Sequence, residues 1–105
     1  MPRAHRLTVA DLKAFRPSRR IHGTFFSLSV APAADIRTAC VVSKKVAARA
    51  VARNLIKRRV RSIFPALLPG LAPGHYVLYA KKDAAAADFS EIRADVTKLC
   101  IRASA

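Results

Sequence analysis

Acidic residues are scarce in this chain. Of its 105 residues, 6 are Asp or Glu and 20 are Lys or Arg, so the formal net charge is +14. No acid occurs between Asp35 and Asp83, although that interval holds eleven basic residues. Because so much like charge repels itself in a compact fold, the composition indicates a polyanionic partner.

Long apolar runs are absent as well. No run approaches the ~20 residues of a membrane span, and the N-terminal MPRAHRL lacks the apolar centre of a secretion signal. We therefore expect a cytoplasmic protein that does not cross a bilayer. Hydrophobic residues still make up 52% of the chain, which is enough to bury one core, and residues 1–105 are expected to form a single domain.

Cysteine and histidine are too few to suggest a metal site. Cys40 and Cys100 are expected to be free, buried thiols, since a reducing compartment disfavours a disulfide. They do not combine with His5, His22 or His75 at a familiar metal-binding spacing. The acids lie near the chain ends or in turns and do not converge as metal-dependent phosphodiester cleavage requires. We predict no catalytic residue and no metal ligand.

The N-terminal part begins with a helix signal. Thr8 and Asp11 have the spacing of a capping box. The helix is predicted from about Val9 to Phe15, because Pro17 follows. PSRRIHG, residues 17–23, then indicates a basic loop.

Two strands are predicted next. Residues 24–30 alternate between more and less apolar side chains, and residues 37–43 are rich in β-branched residues. Turn residues at 31–35 separate them. We expect the two strands to pair as a hairpin with a wide loop.

The following helix is both amphipathic and basic. It is predicted to begin after SKK, residues 43–45, and to break at Pro65. Arg49 and Arg53 project within its apolar side at the N-terminal end, so they are expected to point into an open cleft. The apolar side consists of Ala52, Ile56, Val60, Ile63 and Phe64.

The C-terminal part indicates one more strand and helix. HYVLYA, residues 75–80, predicts a buried strand. Asp88 and Glu91 predict a capping box for the last helix. The predicted order is α-β-β-α-β-α, an α+β fold with a single mixed sheet and packed helices. If the last strand runs parallel to residues 37–43, the basic helix forms a crossover, which is normally right-handed. The apolar stripe of the last helix is Phe89, Ile92, Val96, Leu99 and Ala103.

The basic helix is the strongest functional signal. Residues 44–61 hold eight basic residues and no acid, with Arg49, Arg53, Lys57 and Arg61 at every fourth position. Like charges at that spacing destabilise a helix by roughly 0.2–0.5 kcal/mol per pair. The pattern therefore indicates binding, and phosphate is the anion that the Arg guanidinium fits best.

RNA is favoured over a membrane or duplex DNA. A membrane-surface helix would need its apolar side free, but here that side is needed for the core. A helix-turn-helix needs consecutive helices, whereas strands flank this one. A sheet with aromatic rings beside a basic cleft suits single-stranded RNA. The candidate rings are Phe15, Phe25, Phe26, Tyr76 and Tyr79.

The run SKKVAARAVARNLIKRRVRSIF, residues 43–64, resembles the signature of the protein subunit of bacterial ribonuclease P. RLTVADLKAF is similar to the first helix of that family, and residues 75–99 are similar to its last strand and helix. Leu55 replaces the second Arg of the Arg-Asn-Arg core, so one phosphate contact is expected to be weaker or taken over by Arg59. The matching residues are Lys44, Lys45, Arg53, Asn54, Lys57, Arg58, Arg61 and Phe64.

The resemblance implies a fold like domain 2 of ribosomal protein S5, with a left-handed crossover in place of the usual hand. It implies a single RNA-binding domain that docks on a catalytic RNA and grips the 5′ leader of precursor tRNA in a cleft between helix and sheet. The endonucleolytic removal of the leader is then carried out by the RNA, with Mg²⁺ held mainly by that RNA. The protein would be the non-catalytic subunit.

The resemblance also assigns roles to residues. Phe15 and Phe26 are expected near the leader, as are Lys44, Lys45 and Arg49. A ribosomal or general RNA-binding protein of the same fold remains an alternative, and so does a self-sufficient nuclease that uses His22 or His75. The residues expected to bind RNA are Lys44, Lys45, Arg49, Arg53, Asn54, Lys57, Arg58 and Arg61.

Overall fold

Three α-helices, four strands and two short 3-10 helices form the described part of the chain. The computed structural model describes residues 6–104, so His5 lies outside it. The order is α-β-β-β-α-β-α, and the fold is α+β. None of the described helices is long and apolar enough to cross a membrane. The elements are α1 (Val9–Ala14), β1 (Arg19–His22), β2 (Phe26–Ala31), β3 (Ile36–Val41), α2 (Ala50–Leu67), β4 (Gly74–Ala80) and α3 (Phe89–Ser104).

Both predicted capping boxes are present. Asp11 N–H donates to Thr8 Oγ1 at 3.1 Å, and Thr8 N–H donates to Asp11 Oδ2 at 2.8 Å. Glu91 N–H donates to Asp88 Oδ1 at 2.9 Å, and Asp88 N–H donates to Glu91 Oε1 at 3.1 Å. The helices α1 and α3 therefore start where the sequence predicts, because each cap satisfies otherwise unpaired N–H groups.

The predicted basic loop at residues 17–23 is wrong, since it contains β1. This strand pairs antiparallel with β2, from Arg19 opposite Val30 to His22 opposite Ser27. Only Ile21 of the four β1 residues is buried. An edge strand with a single inward apolar side chain shows almost no alternation, so its sequence resembles a loop.

The predicted hairpin between β2 and β3 is also wrong. The sheet order is β1-β2-β4-β3, with β4 antiparallel to β2 and parallel to β3. Tyr76, Val77 and Leu78 of β4 are all buried, which is the pattern of a central strand flanked on both sides by other strands. The parallel pairing of β3 and β4 is confirmed, so α2 lies on a crossover, and the hand of that crossover stays a prediction.

The core lies between one face of the sheet and helices α2 and α3. We call this face the helix-covered face and the other the open face. The helix α2 begins at Ala50, later than predicted, and continues through Pro65 to Leu67, because a proline there removes only one hydrogen bond near the helix end. Fully buried side chains of the core include Phe26, Leu28, Leu78, Val60, Phe64, Ile92, Val96 and Leu99.

Candidate nucleic-acid interface

Five of the predicted RNA-binding residues form one continuous strip along α2. Counted at about 100° per residue, they span an arc of about 140° that overlaps the edge of the apolar side near Arg53 and Phe64. Asn54 and Arg58 are exposed, whereas Lys57 and Arg61 are half-buried where the strip borders the core. We call this strip the basic flank. It consists of Arg53, Asn54, Lys57, Arg58 and Arg61.

Arg53 is partly committed to the fold. Its Nη1 donates to the carbonyl oxygens of Ala47 at 3.0 Å and Ala48 at 2.8 Å. The guanidinium therefore reaches back over the turn before α2, although the sequence predicts that it points into an open cleft. Replacing Arg53 would disturb this turn as well as any phosphate contact.

The N-terminal end of α2 carries further exposed cations. Lys44, Lys45 and Arg49 are exposed, and Arg49 is the N-cap residue. The cap makes no side-chain hydrogen bond, and the first turn contains no acid. Helix N–H groups without an internal acceptor and the positive end of the helix dipole favour an anion at this end.

Leu55 lies on the exposed side of α2 and is 42% exposed. Arg59 follows Leu55 by one helical turn, on the side of α2 nearer α3. The hydrogen bond from Glu91 N–H is the main cause of the lowered pKa of Asp88, and the positive charge of Arg59 lowers it further. That Arg59 binds a phosphate in place of an arginine at position 55 stays a prediction.

The acids of the described chain do not neutralise the basic flank. Within residues 6–104, an ion pair joins Asp35 to Arg37 at 2.7 Å, and a hydrogen bond of 3.0 Å joins Asp35 Oδ1 to His75 Nε2. The Arg37 guanidinium and His75 hold the pKa of Asp35 below its usual range. Asp11, Asp88 and Glu91 cap helices and Asp95 fixes a turn. None of these contacts involves the basic flank, so α2 has positive charge in excess of its partners.

Asp95 is the acid whose role the sequence did not reveal. It lies in α3 and is buried, with only 6% of its surface exposed. Its carboxylate accepts hydrogen bonds of 2.9 Å from the backbone N–H groups of Thr24, Phe25 and Phe26. A Cβ atom at Gly23 would lie 2.8 Å from Asp95 Oδ1, so only glycine leaves room for this arrangement. Asp95 thus fixes the turn between β1 and β2.

The open face carries a polar groove of about 260 Å³. His22 Nδ1 lies 3.1 Å from Ser27 Oγ. Ser29 Oγ is buried and has no hydrogen-bond partner. Tyr79 is half-buried and is the aromatic ring of this groove. The groove is lined by Arg20, His22, Ser27, Ser29 and Tyr79.

The structure separates the two predicted leader contacts. Phe26 has no exposed surface and packs in the core on the helix-covered face, so its prediction as a leader contact is wrong. Phe15 is half-buried and lines a groove with Ala31 and His75 at one end of the open face. The alternation of residues 24–30 could not show on which face of the sheet Phe26 lies, because both faces carry an aromatic ring.

His22 and His75, the histidines of the described chain, do not form a catalytic pair. His22 lies in the same row of the sheet as Tyr79, whereas His75 lies four residues earlier along β4. Four residues of a strand span about 13 Å. In addition, no group of three or more metal-binding side chains occurs among residues 6–104.

The two cysteines are confirmed as free thiols, but only Cys100 is buried as predicted, whereas Cys40 is half-buried. Burial raises the pKa of Cys40 to about 12, against the opposing effect of the positive charges of Lys57 and Arg61. Burial also raises the pKa of Cys100 to about 11. Both thiols therefore stay protonated at neutral pH and are poor nucleophiles.

Comparisons with known proteins agree on one family. A family model described as Ribonuclease P matches residues 1–104. Over 83 residues the chain is 41% identical to the ribonuclease P protein component of Thermus thermophilus, which covers 79% of this chain and 49% of that relative. The chain thus spans about half the length of that relative.

A second relative is covered almost completely. Over 108 residues the chain is 32% identical to the ribonuclease P protein component of a Picosynechococcus strain, which covers 98% of this chain and 93% of the relative. The solved structure of the Staphylococcus aureus RNase P protein covers 96% of both chains with a TM-score of 0.83 and 22% identity, which shows the same fold.

Proposed function

Because this chain belongs to the ribonuclease P protein family, we propose that it is the protein subunit of a ribonuclease P ribonucleoprotein. In this role it binds the catalytic RNA and the 5′ leader of precursor tRNA and assists the endonucleolytic cut that forms the mature 5′ end. The observation that carries the proposal is the basic flank of α2, which no carboxylate of the described chain neutralises.

The catalytic RNA is assigned to α2. The basic flank presents its positive groups along one side of a rigid helix, which suits the phosphates of a structured RNA. Lys44, Lys45 and Arg49 extend this surface beyond the uncapped helix end.

The leader is assigned to the open face of the sheet. Tyr79 provides a ring for stacking, Arg20 provides a cation, and Ser29 provides a hydroxyl without a protein partner. Phe15 provides a second ring at the end of the face near His75. Aromatic rings beside cations are the usual means of binding single-stranded RNA.

The chemistry of the cut is assigned to the RNA. Metal-assisted phosphodiester cleavage needs convergent carboxylates, but Asp11, Asp88 and Glu91 cap helices and Asp95 holds a turn. These residues do not fit a Mg²⁺ site, so Mg²⁺ is expected to be held mainly by the RNA. The protein raises substrate affinity by adding positive charge and a leader-binding surface.

The test measures cleavage of precursor tRNA at low Mg²⁺ by bacterial catalytic RNA alone, by the protein alone, and by both. We expect a cut at the mature 5′ end only in the mixture. Arg58→Ala should weaken this stimulation and reduce the salt slope of RNA binding by about 1. Arg93→Ala, which removes an exposed arginine of α3, is the matched control and should have little effect.

Other outcomes would support the alternatives. Cleavage by the protein alone, abolished in His75→Ala or His22→Ala, would favour a self-sufficient nuclease. Binding to RNA without any stimulation, tested with several catalytic RNAs, would favour a ribosomal or general RNA-binding protein.

A further inference from the structure

A pocket of about 220 Å³ lies between the outer edge of β3, the basic flank, and residues Arg6 and Leu7, which we call the N-terminal segment. Half-buried Leu12 of α1 provides an apolar wall, and Val60 and Phe64 of α2 lie beneath the pocket with almost no exposed surface. Lys57 and Arg61 form a basic rim on one side. An apolar slot with a positive rim fits a flat, weakly polar group that carries an anion beside it.

The floor of the pocket includes the free edge of the sheet. β3 is an edge strand, and Leu7 N–H donates to the carbonyl oxygen of Thr38 on the outer side at 2.9 Å. In a parallel ladder, alternate residues turn their backbone groups to the same side. The N–H and C=O of Cys40 therefore face outward as well, at a residue that lines the pocket.

These outward groups are too few for a protein strand. Thr38 is already bonded to the N-terminal segment, and β3 ends at Val41. Cys40 alone offers one donor and one acceptor, whereas strand addition uses a row of such groups. A single donor and acceptor beside an apolar slot match the hydrogen-bonding edge of a nucleobase, which proteins commonly stack and read in this way.

The charge of the rim favours a nucleotide over a neutral ligand. Within residues 6–104, no carboxylate lies within ion-pairing distance of Lys57 or Arg61. Both side chains belong to the basic flank, so phosphates on that flank would lie at the mouth of the pocket. The pocket is therefore continuous with the surface assigned above to the catalytic RNA.

We propose that this pocket receives one unstacked nucleobase of the catalytic RNA. The base lies against Leu12, beside the half-buried Lys57 and Arg61 of α2, and the Cys40 backbone N–H and C=O bind its edge. Lys57 and Arg61 bind the flanking phosphates. This inference rests on the proposed function, and it adds base recognition to an interface otherwise described by charge alone.

The first test fills the pocket with a larger side chain and leaves the charge of the pocket unchanged. Leu12→Phe should weaken binding of the catalytic RNA by about tenfold, because the stacking of one base is removed. The slope of log affinity against log salt should not change, since no phosphate contact is removed. Lys57→Ala should lower the affinity and also reduce that slope by about 1. Leu67→Phe, the same change at a half-buried leucine that lines a different groove, is the control.

The outcomes distinguish the base pocket from the proposed function. Wild-type affinity in Leu12→Phe together with weakened binding in Lys57→Ala would overturn the base pocket and leave the proposed function standing. Absence of RNA binding by the wild-type chain would overturn both.

A second measurement on the unmodified protein does not depend on the folding of Leu12→Phe. The amide signal of Cys40 is followed by NMR while each of the four nucleoside 5′-monophosphates is added, with inorganic phosphate as the control. At least one nucleotide should shift this signal, and inorganic phosphate should not. No shift with any nucleotide, or an equal shift with inorganic phosphate, would contradict the proposal.

Discussion

Helices α2 and α3 pack side by side on the same face of the sheet, but their charges are arranged in opposite ways. α3 begins with the capping box of Asp88 and Glu91. At its C-terminal end, Arg19 donates to the carbonyl oxygens of Arg102 at 2.8 Å and Ala103 at 2.9 Å. Both ends of the α3 dipole are thus matched by side chains of the same protein.

α2 lacks such matching. Its N-cap makes no side-chain hydrogen bond, and neither an acid in the first turn nor a base in the last turn complements its dipole. Its cations lie along one flank, where they repel one another. α3 is thus completed by the chain itself, whereas the charges of α2 are left unmatched, as the proposed contact with RNA would require.

The largest expected effect tests the internal role of α3. Asp95→Ala removes the acceptor of three backbone N–H groups in a buried site. Hydrogen bonds to charged groups contribute about 1.5–3 kcal/mol each, and they do not add fully. We expect the free energy of unfolding to fall by about 3 kcal/mol or more, as measured by urea denaturation.

The matched control for Asp95→Ala is a change at Asp88, the carboxylate that caps the start of the same helix. Asp88→Ala removes an exposed cap and should cost only about 1 kcal/mol. For protein that remains folded, neither change should alter the salt slope of RNA binding. A reduced slope in Asp95→Ala would show that α3 also carries the RNA contact and would remove the contrast with α2.

A smaller effect of opposite sign is expected at the start of α2. Arg49→Asp supplies the missing N-cap acceptor at a residue whose φ of −84° and ψ of 135° already suit a cap. The free energy of unfolding should rise by about 1 kcal/mol. Binding of RNA should weaken, with a salt slope reduced by about 1 or more.

Arg49→Ala separates the two causes in that prediction. It removes the cation without adding an acceptor, so RNA binding should weaken with no gain in stability. If Arg49→Asp is less stable than the wild-type chain, or binds RNA equally well, then the uncapped end of α2 is not kept for an anion.

The same contrast explains which parts of the molecule could be predicted from sequence. The start of α1 and α3 follows from local capping chemistry, and the apolar side of α2 follows from its period, as Ile56, Val60, Ile63 and Phe64 show. The basic flank could also be predicted, because a helix places residues three and four apart on one side.

Features that depend on strand order could not be predicted in this way. β4 enters the sheet between β2 and β3, so residues far apart in sequence become neighbours on the open face. Tyr79 lies opposite Ser27, which in turn lies opposite His22. Local pattern also could not show that Phe26 faces the helices or that Asp95 points inward from α3, since both depend on what the sheet places next to them.

The smallest expected effect concerns acid pH, and it distinguishes the capped helices from α2. Backbone N–H groups lower the pKa of Asp11 in the α1 cap and of Asp88 in the α3 cap. A carboxyl whose folded pKa is lowered contributes stability above its ordinary value of 3.8, and this contribution is lost as pH falls through the lower folded value. Amide protection factors, which correct for the intrinsic pH dependence of exchange, should therefore fall at the starts of α1 and α3 below pH 3.8, while the start of α2, which has no carboxylate cap, should change less. Asp88→Asn keeps an oxygen acceptor that does not titrate, so it should remove the change at α3 alone. An equal loss of amide protection at all three helix starts would mean that global unfolding, and not the loss of individual caps, governs the response to acid.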